Sequence, residues 1–175
     1  MTEHDPVPAV ERGFRRSDAF EPLDDGRFES QMTPFDATVS VERGASAVEI
    51  RVCVETPTIR GVVEGEHVAA IVNDEWYRTL VRRLADAPNV TRTDDVPEPS
   101  VTREGERVRV ETTFETLDPA AAVDDARALM MYVEGTWMEG IIPGYEYGEP
   151  AASLLSQAVS GDNAEEGARK GGMPL

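Results

Sequence analysis

Lysine, histidine and cysteine are nearly missing from this chain. Lys170 is the only lysine among 17 basic residues, and 175 residues contain 2 histidines and 1 cysteine. With Cys53 alone, no internal disulfide and no multi-cysteine metal site can form. His67 is the only histidine in the part expected to fold, because His4 falls in the polar start. One histidine makes no His-pair metal site, and a catalytic triad would need Ser or Cys beside it. A Cys53–His67 dyad across a sheet is conceivable, against the ordinary reading of a small strand cysteine and a loop histidine. The chain also lacks a Gly-x-Ser-x-Gly elbow, a phosphate-cradling glycine loop with lysine and a dinucleotide fingerprint. No catalytic residue, metal site or cofactor is therefore expected. The longest clean apolar run, Val68–Val72, is far too short for a membrane span. Met1–Pro8 has neither a basic segment nor an apolar one, so no secretion signal and a cytoplasmic location are expected.

Positive charge is scarce as well. Seventeen basic residues face 34 acidic ones, a net charge of −17. Such a surface repels phosphate, so neither nucleic acid nor an anionic membrane is an expected partner. Acid excess with arginine in place of lysine suits a protein kept hydrated in multi-molar salt. There the Debye length is about 3 Å or less and self-repulsion no longer opposes folding. The composition therefore predicts halophilic adaptation.

What is present is periodicity. Val10 and Phe14, with Phe20 beyond, predict a short helix over about 7–19, and Leu23–Gly26 reads as a turn. Arg27–Met32 is extended, then broken by Thr33-Pro34. Phe35, Ala37, Val39 and Val41 alternate with polar residues, as do Val48, Ile50, Val52 and Val54. This predicts two antiparallel strands, with Cys53 on the Glu49/Arg51 face. Residues 58–72 are open between a strand at Ile59–Val63 and an early helix. Asn73 as N-cap, with Asp74 and Glu75 in the first turn, predicts a helix over about 74–87 carrying Trp76, Leu80 and Leu84 on one face. Ser100–Arg103 and Arg107–Phe114 form a hairpin. Asp118-Pro119 starts a long helix, about 119–139, with Val123, Ala126, Met130, Val133, Trp137 and Ile141 in its stripe. The reading is an α+β fold: an antiparallel sheet of about five strands with helices packed on it, in the order α-β-β-β-α-β-β-α. Residues 1–8 are expected to be disordered and 9–150 to form one domain. A short helix from 151 to 159 and a disordered tail to 175 follow.

Several of these segments carry a resemblance. They are Thr33-Pro34-Phe35-Asp36, Val63-Glu64-Gly65-Glu66, Glu75-Trp76-Tyr77 with Arg82–Ala87, and Tyr132–Thr136 running into Gly140-Ile141-Ile142-Pro143-Gly144-Tyr145-Glu146-Tyr147. Over about residues 8–158 the chain resembles an uncharacterised domain-of-unknown-function family of halophilic archaea. The resemblance implies lineage and cytoplasmic life in salt, and brings no activity, cofactor or site residue. The element order alone is similar to the type III secretion chaperone-like fold, whose members are commonly dimers holding extended segments of partners. No residue carries over from that likeness.

The acidic pairs Asp24-Asp25, Asp94-Asp95 and Asp124-Asp125 read as solvation charges. The exit of the long helix is different. Residues 117–150 hold seven acids against Arg127 alone, and Trp137, Ile141, Ile142, Tyr145 and Tyr147 crowd into eleven residues. Core packing accounts for Trp137 and for Trp76 in the middle helix. The two tyrosines read equally well as protein-contact anchors. The leading reading is a non-enzymatic protein-binding module, as a monomer or a homodimer, using Trp76, Trp137, Ile141, Ile142, Tyr145 and Tyr147 or an open sheet edge. The second reading is a small-molecule sensor or enzyme whose pocket is lined by Trp76, Trp137 and Tyr145 with Arg51 or Arg109 as anchor.

Overall fold

The computed structural model describes residues 4–169, with side chains through Ser160. Helix α1 (Val7–Arg16) leads into β1 (Phe20–Pro22), β2 (Phe28–Ser30), β3 (Asp36–Arg43) and β4 (Val48–Pro57). A one-turn helix α2 (Ile59–Val62), a two-residue strand β5 (Val63–Glu64) and helix α3 (Ala70–Leu84) follow, then a 3₁₀ turn at Ala87–Val90. The chain closes with β6 (Ser100–Glu104), β7 (Arg107–Thr116), α4 (Pro119–Glu139), β8 (Glu146–Tyr147) and α5 (Ala151–Arg169). The fold is α+β. Six strands form one antiparallel sheet in the order β1-β2-β3-β4-β7-β6, and β5 pairs with β8 in a separate ribbon.

Alternation decides which face of the sheet is covered. Ala37 and Val39 of β3, Ile50, Val52 and Val54 of β4, and Val108, Val110 and Phe114 of β7 are all buried on one face. Helices α1 and α4 lie over that face, and α3 packs against α4. Two aromatic clusters sit near the two ends of α4. Phe14 meets Phe20 and Phe28 at 5.0 and 5.3 Å, while Trp137 meets Phe35 and Trp76 at 5.3 and 6.2 Å. The opposite sheet face stays open. Its charges form a ladder from Glu49 through Arg51, Glu111, Arg109 and Glu55 to Arg107 and Asp36. The hairpin β6–β7 turns on two residues, with Gly105 at φ +56 as this tight connection requires.

The long helix has the predicted bounds. Asp118 accepts from the amides of Ala120 and Ala121 at 2.9 and 3.3 Å, and Pro119 opens the helix without wasting a donor. Replacing that cap, Asp118→Ala, is expected to cost about 1 kcal/mol in a chemical denaturation series.

Four differences are informative. Asn73 does not cap the middle helix, which starts one turn earlier at Ala70. It is buried, and its Oδ1 accepts from the amide of Arg60 at 3.1 Å. Thr58 accepts from Gly61 at 3.1 Å, so two side chains, one from outside the element, satisfy the start of α2. Ile59–Val62 is accordingly helical, and the expected strand there is reduced to Val63–Glu64. The first helix ends at Arg16, short of the expected 19, and both β1, which begins at Phe20, and β2 join the sheet while the Ile59–Val63 segment does not, so the sheet has six strands where about five were expected. At the ends, the disorder expected for 1–8 meets a helix from Val7, and α5 runs to Arg169, past the expected 159. Residues 1–3 and 170–175 lie outside the described part. No described helix is long and apolar enough to cross a membrane.

Candidate functional site

Helices α3 and α4 run antiparallel: Trp76 packs on Trp137 near one end, and Tyr132 Oη donates to the Arg83 carbonyl near the other at 3.1 Å. Where α4 ends, the two helices leave a groove of about 420 Å³. Val72, Trp76 and Ile142 supply its apolar wall, with Ile71 at its mouth. Thr79 and Arg83 extend one side, while Glu75, Glu139 and Gly140 complete the rim.

The wall exists because of two local choices. Starting α3 at Ala70 places Val72, Trp76, Thr79 and Arg83 in one stripe at helical spacing. Gly140 ends α4 without a side chain, and a Cβ there would stand 2.8 Å from Trp76 Nε1. The indole therefore lies against the helix end. Its N–H is buried and has no acceptor among the described residues. A buried donor without a partner is uncommon and costs free energy.

The six expected residues separate. Trp76 and Ile142 line the groove. Trp137 is 0 % exposed and donates from Nε1 to the Pro57 carbonyl at 2.9 Å, so it is core and reaches the groove only through Trp76. Ile141, Tyr145 and Tyr147 are half-buried against the core and do not line the groove. Tyr147 Oη donates to the Ile142 carbonyl at 2.6 Å and accepts from the Ile142 amide at 3.0 Å. It thus closes the helix exit, and β5 holds it from the other side through the Val63↔Tyr147 pair. Burial raises the Tyr147 phenol above its ordinary value. The folded chain holds this proton to higher pH than the unfolded one, so its contribution is full at neutral pH and falls as pH climbs past the ordinary phenol value. Tyr147→Phe is expected to lose about 1–2 kcal/mol and to speed hydrogen exchange at Ile142.

The alternative pocket does not assemble. Trp137 is sealed, and Arg51 and Arg109 lie on the open sheet face, tied into the ion ladder. Cys53 is on that face too, half-buried, with burial raising its thiol pKa, so the thiol stays protonated. His67 is exposed in the loop before α3 and makes no hydrogen bond to Cys53 among the described residues. No described group of three or more His, Cys, Asp or Glu is placed to hold a metal. The β6 edge is partly covered: Tyr77 Oη donates to the Val101 carbonyl at 3.2 Å, and Arg103 lies 4.8 Å over the Tyr77 ring and pairs with Asp74. Edge strands are often protected in this way.

Sequence reasoning missed Ile71, Val72, Glu75, Thr79, Arg83, Glu139 and Gly140 as groove residues. For Ile71 and Val72 the signal was the period, because a helix begun at 74 leaves them out and hides the stripe; Glu139 and Gly140 carried no such signal.

The family described as Family of unknown function (DUF5813) matches residues 15–157, including both walls of the groove. The chain belongs to this family. No curated protein and no solved structure matches this DUF5813 chain.

Proposed function

We propose that this DUF5813 chain is a non-enzymatic protein-binding module of a salt-rich cytoplasm, and that it binds a partner protein in the α3–α4 groove. The observation that carries the reading is Ile71, 72 % exposed beside the open groove lined by Val72, Trp76 and Ile142. With the half-buried Val72 and Ile142 beside it, Ile71 forms part of an apolar patch rimmed by polar residues, and contiguous patches of that kind mark interaction surfaces. The covered β6 edge and the three-residue β1 make strand addition the weaker route.

The test places a photo-crosslinking residue, p-benzoylphenylalanine, at Ile71 and, as control, at Glu29 on the open sheet face. Illumination in the native cells should give one protein adduct from position 71 and none from 29. Ile142→Asp should abolish it while far-UV circular dichroism stays unchanged. Equal adducts at both positions, or no adduct at 71, would refute the reading.

A further inference from the structure

We infer that the occupant of the groove is a helix of the partner protein that carries an apolar side chain and, seven residues from it, a carboxylate that pairs with Arg83. The inference rests on the protein-binding reading above. Its ground is charge. In a chain of net charge −17, Arg83 is the one base among the residues that line the groove, and the carboxylates of Glu75 and Glu139 lie on the same rim. Arg78 is engaged by Glu75 and Arg103 by Asp74 at 2.9 Å. Arg83 has no carboxylate within 4.0 Å among the described residues, as is also true of its neighbour Arg82 and of Arg12, Arg16 and Arg127, but of these only Arg83 lines the groove. Arg82 and Arg83 sit in the last turn of α3, where the helix dipole favours a cation. The dipole accounts for a basic last turn. It does not account for Arg83 lying on the groove wall, in line with Trp76.

Spacing then sets the geometry of the partner. Trp76 and Arg83 are seven residues apart, about 10.5 Å along the axis. A helix laid along α3 repeats that distance between its own residues i and i+7 on one face. Its apolar side chain would enter between Val72, Trp76 and Ile142, and its carboxylate would reach Arg83. Glu139 on the other wall sets the direction, because a partner acid placed there meets like charge. Once the partner covers the pair, bulk salt screens it far less than an exposed pair, so it can act at high ionic strength.

The experiment uses the full chain with the crosslinker at Ile71 and compares adduct yield for Arg83→Glu, Arg83→Lys and Ile142→Asp. Arg83→Glu should lower the yield at least about ten-fold. Arg83→Lys should keep most of it. The crosslinked segment, mapped by mass spectrometry, should hold a carboxylate seven residues from an apolar residue. Changing that acid to lysine in the partner should restore the adduct to Arg83→Glu. An undiminished yield in Arg83→Glu, with Ile142→Asp still abolishing it, overturns the charge pairing and leaves the groove reading intact. An adduct to a second copy of this chain, or to an acyl chain, also overturns the inference. Absence of any wild-type adduct overturns the groove reading itself, and the inference falls with it.

Discussion

Trp137→Ala is expected to remove about 3–5 kcal/mol of stability, much of the roughly 5–15 kcal/mol that a domain of this size holds. The indole is 0 % exposed and sits edge-on to both Phe35 and Trp76. Truncation takes away its apolar area and leaves a cavity that two other large rings border, so the surroundings can collapse only in part. It also strands the Pro57 carbonyl, which accepts from Nε1 at 2.9 Å at the end of β4. Trp137→Phe separates the two contributions. The smaller ring keeps much of the packing and loses the hydrogen bond, and should cost about 1–2 kcal/mol more than the packing change alone. Urea titrations followed by far-UV circular dichroism measure both. A loss under 1 kcal/mol for the alanine variant would mean that this end of the core is loosely packed. Because Trp76 leans on Trp137, the alanine variant should also deform the groove. For that reason Trp137 is a poor site for testing function, and Ile142 and Arg83 are better ones.

The parts of the fold legible in the sequence are those whose cause is local. Asp118, Pro119 and a stripe of three- and four-residue spacings fix α4 within the chain itself, and α4 spans Pro119–Glu139 as read. The same holds for β3, β4 and β7, where strict alternation names the buried face. The misreadings have distant causes. Asn73 looks like an N-cap because its side chain does cap a helix, but that helix is α2, thirteen residues earlier. Strands β5 and β8 have two residues each, too few for any period, and their pairing joins positions 63 and 147. The groove was half visible. Trp76 and Ile142 stood out as bulky residues, while Arg83 and Gly140 matter only through what α3 and α4 bring beside them.

Asp125 is where local reading failed most, and removing it should produce the other large effect. As one of two adjacent acids in a very acidic chain, it reads as a solvation charge. It is instead 1 % exposed, and its carboxylate accepts three hydrogen bonds. The amide of Arg92 donates at 2.7 Å, the amide of Thr93 at 3.0 Å, and Thr93 Oγ1 at 2.5 Å. Its neighbour Asp124 faces outward and pairs with Arg92 at 2.8 Å. One turn of α4 therefore lashes down the connection between α3 and β6, which lacks regular structure from 91 to 99. Asp125→Ala leaves two backbone donors and a hydroxyl without a partner, and each buried donor so stranded costs about 1–3 kcal/mol. Water entering as the loop lifts should recover part of this, so a net loss of about 3 kcal/mol is expected. Asp125→Asn keeps one carbonyl acceptor but turns an NH₂ toward donors, and should fall between the variant and the wild type. The sharper readout is local. Hydrogen exchange at the Arg92 and Thr93 amides should accelerate in Asp125→Ala far more than in Asp124→Ala, with the central strands β4 and β7 changing only by the global loss. Equal acceleration in the two variants would assign the lash to the exposed ion pair. That outcome is hard to reconcile with a surface pair worth about 0–1 kcal/mol against a carboxylate holding three short hydrogen bonds out of water.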